Sequence, residues 1–255
     1  MTRSLRTIAL SLVLLATALP GIAAEPDYSA WNGLLQKYYS PQNGMDYQGL
    51  RKSDLPTLAT LVGDLSKVDA AQLSREEQLA YWINLYNIST VKLICDNYPK
   101  KSIRDMSTDP IIRLNVFDRK VVPQGAATIS LNDIENVRLR EGFKDPRIHF
   151  AINCAAKSCP PMRTEAFVGA RVNEQLDDQA RLFFNGPGTK ITKKSGKTTL
   201  TVTKIMDWFK EDFEAAGGAV AFTKKFVTPD KQKQLEGKVG VSYFDYNWDL
   251  NDWKR

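Results

Sequence analysis

The stretch 149-HFAINCAAKSC-159 holds the only histidine of the chain, His149, and two of its three cysteines, Cys154 and Cys159. One imidazole beside two thiols is a minimal set for nucleophilic acyl chemistry. The imidazole takes up a proton near neutral pH, and sulfur attacks as the thiolate. The same cysteines can instead close a six-residue disulfide loop, a staple for which chain-entropy arithmetic gives about 2 kcal/mol. Pro160 and Pro161 stiffen the chain beyond it and suit such an anchor. In an oxidising compartment the disulfide is the simpler reading, the free nucleophile the sharper one, and a redox pair the weakest, because the spacing is C-x4-C rather than C-x-x-C. Three cysteines cannot all pair internally, and Cys95, late in an apolar run, reads as a small core residue.

Other groups could serve that cluster. Glu77, Asn84 and Asn87 lie within ten residues of one another on a helical pattern whose other positions are largely apolar. Amides inside a buried helix need hydrogen-bonding partners, so their plainer role is to tie loops to the core, with Glu77 acting only as a helix cap. The functional reading makes Glu77 the orienter of His149 and gives Asn84 or Asn87 to an oxyanion or a ligand. The last expectation is that Glu77, Asn84 and His149 converge on one partly open pocket beside the 154–161 loop. Arg163 can hold an anionic ligand group, or pair with Glu165. One histidine without a recurring ligand spacing does not make a zinc site, and no Gly-rich phosphate loop is present, so neither metal nor cofactor is expected.

The elements that must position these groups follow from pattern. Ser74 followed by Glu77 is a capping box, opening a helix that runs to Pro99 and is apolar nearly all round, hence buried. A helix is expected around 28–40. A strand and turn are expected over 117–130, then a helix over 130–141 with Ser130 as its cap. The β-branched and aromatic run 147–153 reads as a core strand, which would put His149, Ala151 and Asn153 on one face and Cys154 on the other. A helix over 169–185, a hairpin around Ser195-Gly196, a helix over 203–218 and an aromatic strand from 239 complete the chain. Helices and short strands alternate without βαβ periodicity. The fold class is therefore α+β: a single domain with a small, mostly antiparallel sheet against a central buried helix and further helices around it.

Residues 1–24 carry two arginines, an uncharged run from Thr7 to Leu19 and a small-residue end, which together read as a secretory signal peptide. The protein is expected to be exported, periplasmic or secreted, with residues 25–255 as the mature domain. The run is shorter than the roughly 20 residues of a membrane-spanning helix, so no transmembrane segment is expected. The formal charge is +6 and falls to +4 without Arg3 and Arg6. That is mildly basic and points to no nucleic acid; the lysines of 190–199 surround a Ser-Gly turn and lack interleaved aromatics.

Three stretches, 77-EQLAYWINLYN-87, 146-PRIHFAINCAAKSCPPMR-163, and 205-IMDWFKEDF-213 with 245-DYNWDLN-251, together resemble the domain-of-unknown-function family number 547, from about residue 70 to the C-terminus. The resemblance implies a domain and no activity. Two functions remain open on the residues themselves. One is a thiol hydrolase or acyl transferase using Cys154 or Cys159 with His149. The other is a non-enzymatic binding module with a stapled loop, its ligand a small molecule or peptide.

Overall fold

A computed structural model describes residues 24–106 and 115–254. Most of the expected signal peptide lies outside the described residues. The chain opens with α1 (Ser29–Tyr38), a short ribbon of β1 (Tyr39–Ser40) and β2 (Gly44–Met45), then α2 (Tyr47–Ser53) and α3 (Leu55–Leu65). The central helix α4 (Arg75–Asn97) begins at the expected capping box: Ser74 Oγ accepts from the Glu77 amide at 3.3 Å, and the Glu77 carboxylate accepts from the Ser74 amide at 2.8 Å. Two free amides of the first turn are thereby satisfied. α4 is buried along most of its length and touches α2, α3 and later helices on several sides, which is why it carries no polar face.

An antiparallel pair, β3 (Val122–Gln124) with β4 (Ala127–Ile129), leads to a π-helix over Asp133–Glu141. Ser130 caps its approach, its hydroxyl accepting from the Asp133 amide at 2.9 Å. After α5 (Val172–Asn185), β5 (Thr189–Lys194) and β6 (Lys197–Val202) form the expected hairpin around Ser195-Gly196. Helices α6 (Ile205–Trp208), α7 (Lys210–Ala215), α8 (Gly218–Phe226) and α9 (Pro229–Gln234) follow, and β7 (Val239–Tyr243) joins β6 in parallel. The architecture is α+β, with small sheets among several helices. The largest sheet packs with α5 and α8, while α4 is wrapped mainly by helices.

The core divides into two clusters. One surrounds α4; the other is rich in phenylalanine, built from Phe150, Phe183, Phe184, Phe213, Phe222 and Phe226 with residues of β6. The segment 146–152 runs along their seam: Ile148 and Ile152 belong to the first cluster and Phe150 to the second.

That segment is not the expected strand. Pro146–Phe150 forms a 3-10 helix, capped by Asp145, whose side chain accepts from the Arg147 amide at 2.9 Å. Asp followed by Pro is a helix-start signal, and here it outweighs the β propensity of the residues behind it. Asn87 then supplies the pairing a neighbouring strand would have given, donating to Ala151 O at 2.9 Å and accepting from the Asn153 amide at 2.8 Å.

Candidate functional site

Because the 3-10 turn is tighter than a strand, His149 does not obey the parity of a pleated segment. His149 lines a cavity of about 150 Å³ together with both Cys154 and Cys159. The imidazole is 2% exposed and stacks on Phe209 at 4.1 Å between ring centroids, with the Arg140 guanidinium 4.7 Å from the centre of the same Phe209 ring.

The orienting carboxylate is Asp212 in α7. His149 Nε2 lies 2.7 Å from Asp212 Oδ2, and Arg140 grips both carboxylate oxygens through Nε at 2.7 Å and a terminal nitrogen at 2.9 Å. Burial raises the Asp212 carboxyl, but the hydrogen bonds from His149 and Arg140 outweigh it and hold its pKa far below the ordinary carboxylate value. Asp212 is therefore ionised and accepts, which places the imidazole proton on Nε2 and leaves Nδ1 as the basic nitrogen. Burial in turn pushes His149 below its ordinary pKa despite Asp212, so the ring is neutral at pH 7 and ready to take a proton.

Glu77 does not have the orienting role expected of it. Its carboxylate is committed to the capping box and its stem packs against Gly169, where an added Cβ would stand 2.5 Å from Glu77 Cγ. Asn84 is tied to the backbone of Phe167, donating at 2.7 Å and accepting at 3.0 Å. Arg163 pairs with Glu165 at 2.8 Å. None of Glu77, Asn84, Asn87 and Arg163 lines the His149 cavity, so the expected convergence of Glu77 and Asn84 on His149 does not occur at this cavity. Each found its partner in neighbouring backbone or an adjacent acid, as buried polar groups must.

The sulfurs of Cys154 and Cys159 stand at disulfide distance, with their Cα atoms 6.2 Å apart. The enclosed loop is laced to its surroundings. Asn153 donates to Pro160 O at 2.7 Å and accepts from the Ala155 amide at 2.8 Å, and the C-terminal segment straps the outside through Lys157 N to Asp249 O at 2.8 Å. Ala155 sits at φ 62°, a left-handed conformation that costs a non-glycine residue energy and that the lacing maintains. Cys154 Sγ lies 3.1 Å from the Tyr246 hydroxyl, and the Cys154 amide donates to Cys159 Sγ at 2.9 Å. Cys95 is buried far from this chemistry in role, its thiol pushed up to about 12 by burial.

The rest of the cavity has two characters. One wall is aromatic: Trp208, Tyr246 and Trp248 pack on one another at 4.7–5.6 Å between centroids. The other is a polar stripe, Asn132, Glu135 and Asn136, three residues that helical spacing places on one face. Tyr86 donates to Glu135 at 3.3 Å. Loss of water raises the Glu135 carboxyl to about 7, against the Tyr86 bond and the Arg140 charge. A folded-state pKa above the ordinary 4.5 means the folded chain keeps a proton that the unfolded chain has released between those values. Stability from this group therefore falls as pH rises from about 4.5 to 7. Glu135→Gln, which cannot ionise, is expected to gain on the wild type across that window and to hold a constant difference above it. Denaturant midpoints measured at pH 4.5, 6 and 7.5 check this, and a difference that does not change with pH would show that Glu135 titrates normally.

Sequence reading missed Asp212, Glu135, Arg140, Tyr86 and the aromatic wall as site residues. Asp212 and Trp208 fall in the 205–213 stretch and Tyr246 in the 245–251 stretch, yet nothing local marks them as neighbours of a histidine that lies 63, 59 and 97 residues earlier, respectively. Among the described residues no group of three or more His, Cys, Asp or Glu is placed to hold a metal ion, and no helix is long and apolar enough to cross a membrane.

What fold and site define is an α+β domain carrying an oriented histidine in an aromatic-walled cavity. Residues 70–184 match the family model described as a protein of unknown function, DUF547. Over those residues, which include α4, Glu135, His149 and both loop cysteines, the expected kinship with family number 547 holds. No curated protein and no solved structure matches the chain.

Proposed function

We propose that this is an exported thiol hydrolase or acyl transferase, with His149 as base, Asp212 as its orienter, and the Cys154–Cys159 loop as source of the nucleophile. The observation that supports the reading is that a carboxylate-oriented imidazole and both sulfurs line one cavity. Export rests on residues 1–24; a mature chain beginning near Glu25, read by mass spectrometry, tests it. In the oxidised form the sulfurs are bonded to each other and neither attacks. A dithiol reductant transfers two electrons and two protons, becoming a disulfide itself and leaving two protein thiols. His149 Nδ1 then removes one thiol proton, the thiolate forms a C–S bond to an acyl carbon, and the leaving group departs with the proton from the imidazolium. Water or another acceptor releases the acyl group.

A second reading is favoured by the disulfide distance itself: a binding module whose staple fixes one wall of the cavity. Reduction followed by alkylation with iodoacetamide at pH 6 separates the two. The enzyme reading expects one loop cysteine to react about a hundredfold faster than in the unfolded chain, because an ordinary thiol near pKa 8.5 is almost entirely protonated there. His149→Ala should abolish the difference. Equal rates in folded and unfolded wild-type protein would exclude the thiol mechanism and leave the binding module.

A further inference from the structure

The polar stripe of the cavity is half used. Asn132 donates its amide to Asp118 Oδ1 at 2.5 Å, which fixes the orientation of the group and turns its carbonyl oxygen over to other use. Asn136 does the reverse: its carbonyl oxygen accepts from Arg140 at 2.8 Å, leaving its NH2 as donor. One helical turn thus offers an acceptor and a donor on the same cavity-lining face, on either side of Glu135. An N–H and a C=O carried by one molecule match that pair. Opposite stands the aromatic wall, with Trp208 45% exposed at its edge. The space of about 150 Å³ is that of a cavity known to take a benzene ring, so it holds one side chain of leucine to phenylalanine size and no more.

A second observation concerns what continues beyond the cavity. Cys159 is a wall residue not only there but of a cavity of about 270 Å³ beside Ser158 and Thr203, and of one of about 430 Å³ beside Asn43 and Leu182. Three spaces that share one loop residue as lining suit a chain that passes along the surface better than a molecule confined to one pocket.

We propose that the ligand of this site is an extended peptide, one apolar residue of which enters the His149 cavity while its backbone N–H and C=O bond Asn132 and Asn136 and its flanking residues run past Cys159. Recognition of this kind needs no sulfur chemistry, so it is tested on the mature chain with the disulfide intact, and its failure is distinct from failure of the thiol mechanism.

The probes are three capped tripeptide amides, acetyl-Ala-X-Ala-amide with X as leucine, methionine or phenylalanine, titrated while the indole N–H resonance of Trp208 is followed by NMR. At least one is expected to give a saturable shift. Replacing the central N–H by an ester oxygen removes the donor meant for Asn132 and is expected to weaken binding about tenfold. Asn136→Asp keeps the oxygen that Arg140 needs and removes the NH2, with a similar loss expected; a melting curve reports whether that variant is folded, and the ester arm decides on wild-type protein if it is not. The proposal is overturned if none of the three peptides saturates, or if the ester analogue binds as well as its parent. It is equally overturned if toluene shifts Trp208 while the peptides do not, which would make the cavity a simple apolar hole.

Discussion

Asp212→Ala is expected to destabilise the folded protein by about 2–4 kcal/mol, because it removes at once the partner of a buried imidazole and both carboxylate oxygens that accept from a half-buried guanidinium, leaving it only Asn136. The deficit has a pH signature. Asp212 is held below its ordinary value of 3.8, so its contribution is complete above about that pH and is lost as pH falls through the folded-state pKa. Wild type and variant should therefore converge in strong acid, which denaturant unfolding at pH 7 and pH 3 can follow. On the thiol mechanism the same substitution also frees the imidazole to adopt either tautomer, and alkylation of the reduced protein at pH 6 should slow about a hundredfold, within the usual range for a lost acid–base arrangement. Asp212→Asn separates the two effects. It keeps one acceptor and most of the packing but not the charge that Arg140 pairs with, so stability should recover only in part while the rate does not recover, since a neutral amide cannot enforce the tautomer as a carboxylate does. A variant that loses stability yet alkylates at the wild-type rate would confine Asp212 to a structural role.

The parts of the fold that could be read in advance are those whose cause is local. The capping box at Ser74 and Glu77 and the hairpin at Ser195-Gly196 are each set by residues a few positions apart, and each is where pattern placed it. The asparagines of α4 were legible as groups in need of partners, but not the identity of those partners, since Phe167 and Ala151 arrive from 83 and 64 residues away. The rarity of His149 and its nearness to two thiols are visible in the sequence, and it lines a cavity with both sulfurs, yet its segment is a 3-10 turn and not a strand, because the Asp145-Pro146 start signal outweighs the β-branched and aromatic residues behind it. Assigning Glu77 as orienter chose an acid whose local role was already visible. Asp212 was hidden for the opposite reason: an aspartate among polar neighbours looks solvated until tertiary packing brings Arg140 and His149 against it. Such long-range electrostatic pairings leave no periodic trace in a single sequence.

Phe150→Ala has the largest expected effect on stability, and it bears on the site through the residue beside it. The ring is fully buried and meets Phe184 at 4.8 Å, Phe183 at 5.5 Å, Phe213 at 5.9 Å and Phe222 at 6.0 Å between centroids. Truncation leaves a cavity among rigid rings that collapse poorly, so the cost should lie at about 3–5 kcal/mol, a large share of the 5–15 kcal/mol typical of whole domains. In a domain of this size that corresponds to a fall in melting temperature of roughly 10 °C or more, measurable by circular dichroism. Phe150→Leu, which keeps much of the volume, should cost far less. The consequence for function follows from adjacency. Phe150 pins one side of the 3-10 turn that presents His149, and Phe213, next in sequence to Asp212, packs on the same ring. Loosening Phe150 therefore frees both members of the His149–Asp212 pair, and the imidazole resonances of the variant should broaden even well below its melting temperature. A variant that melts within about 2 °C of wild type would mean that the phenylalanine cluster does not act as one core, and that the positioning of His149 rests on Arg140 and Asp212 alone.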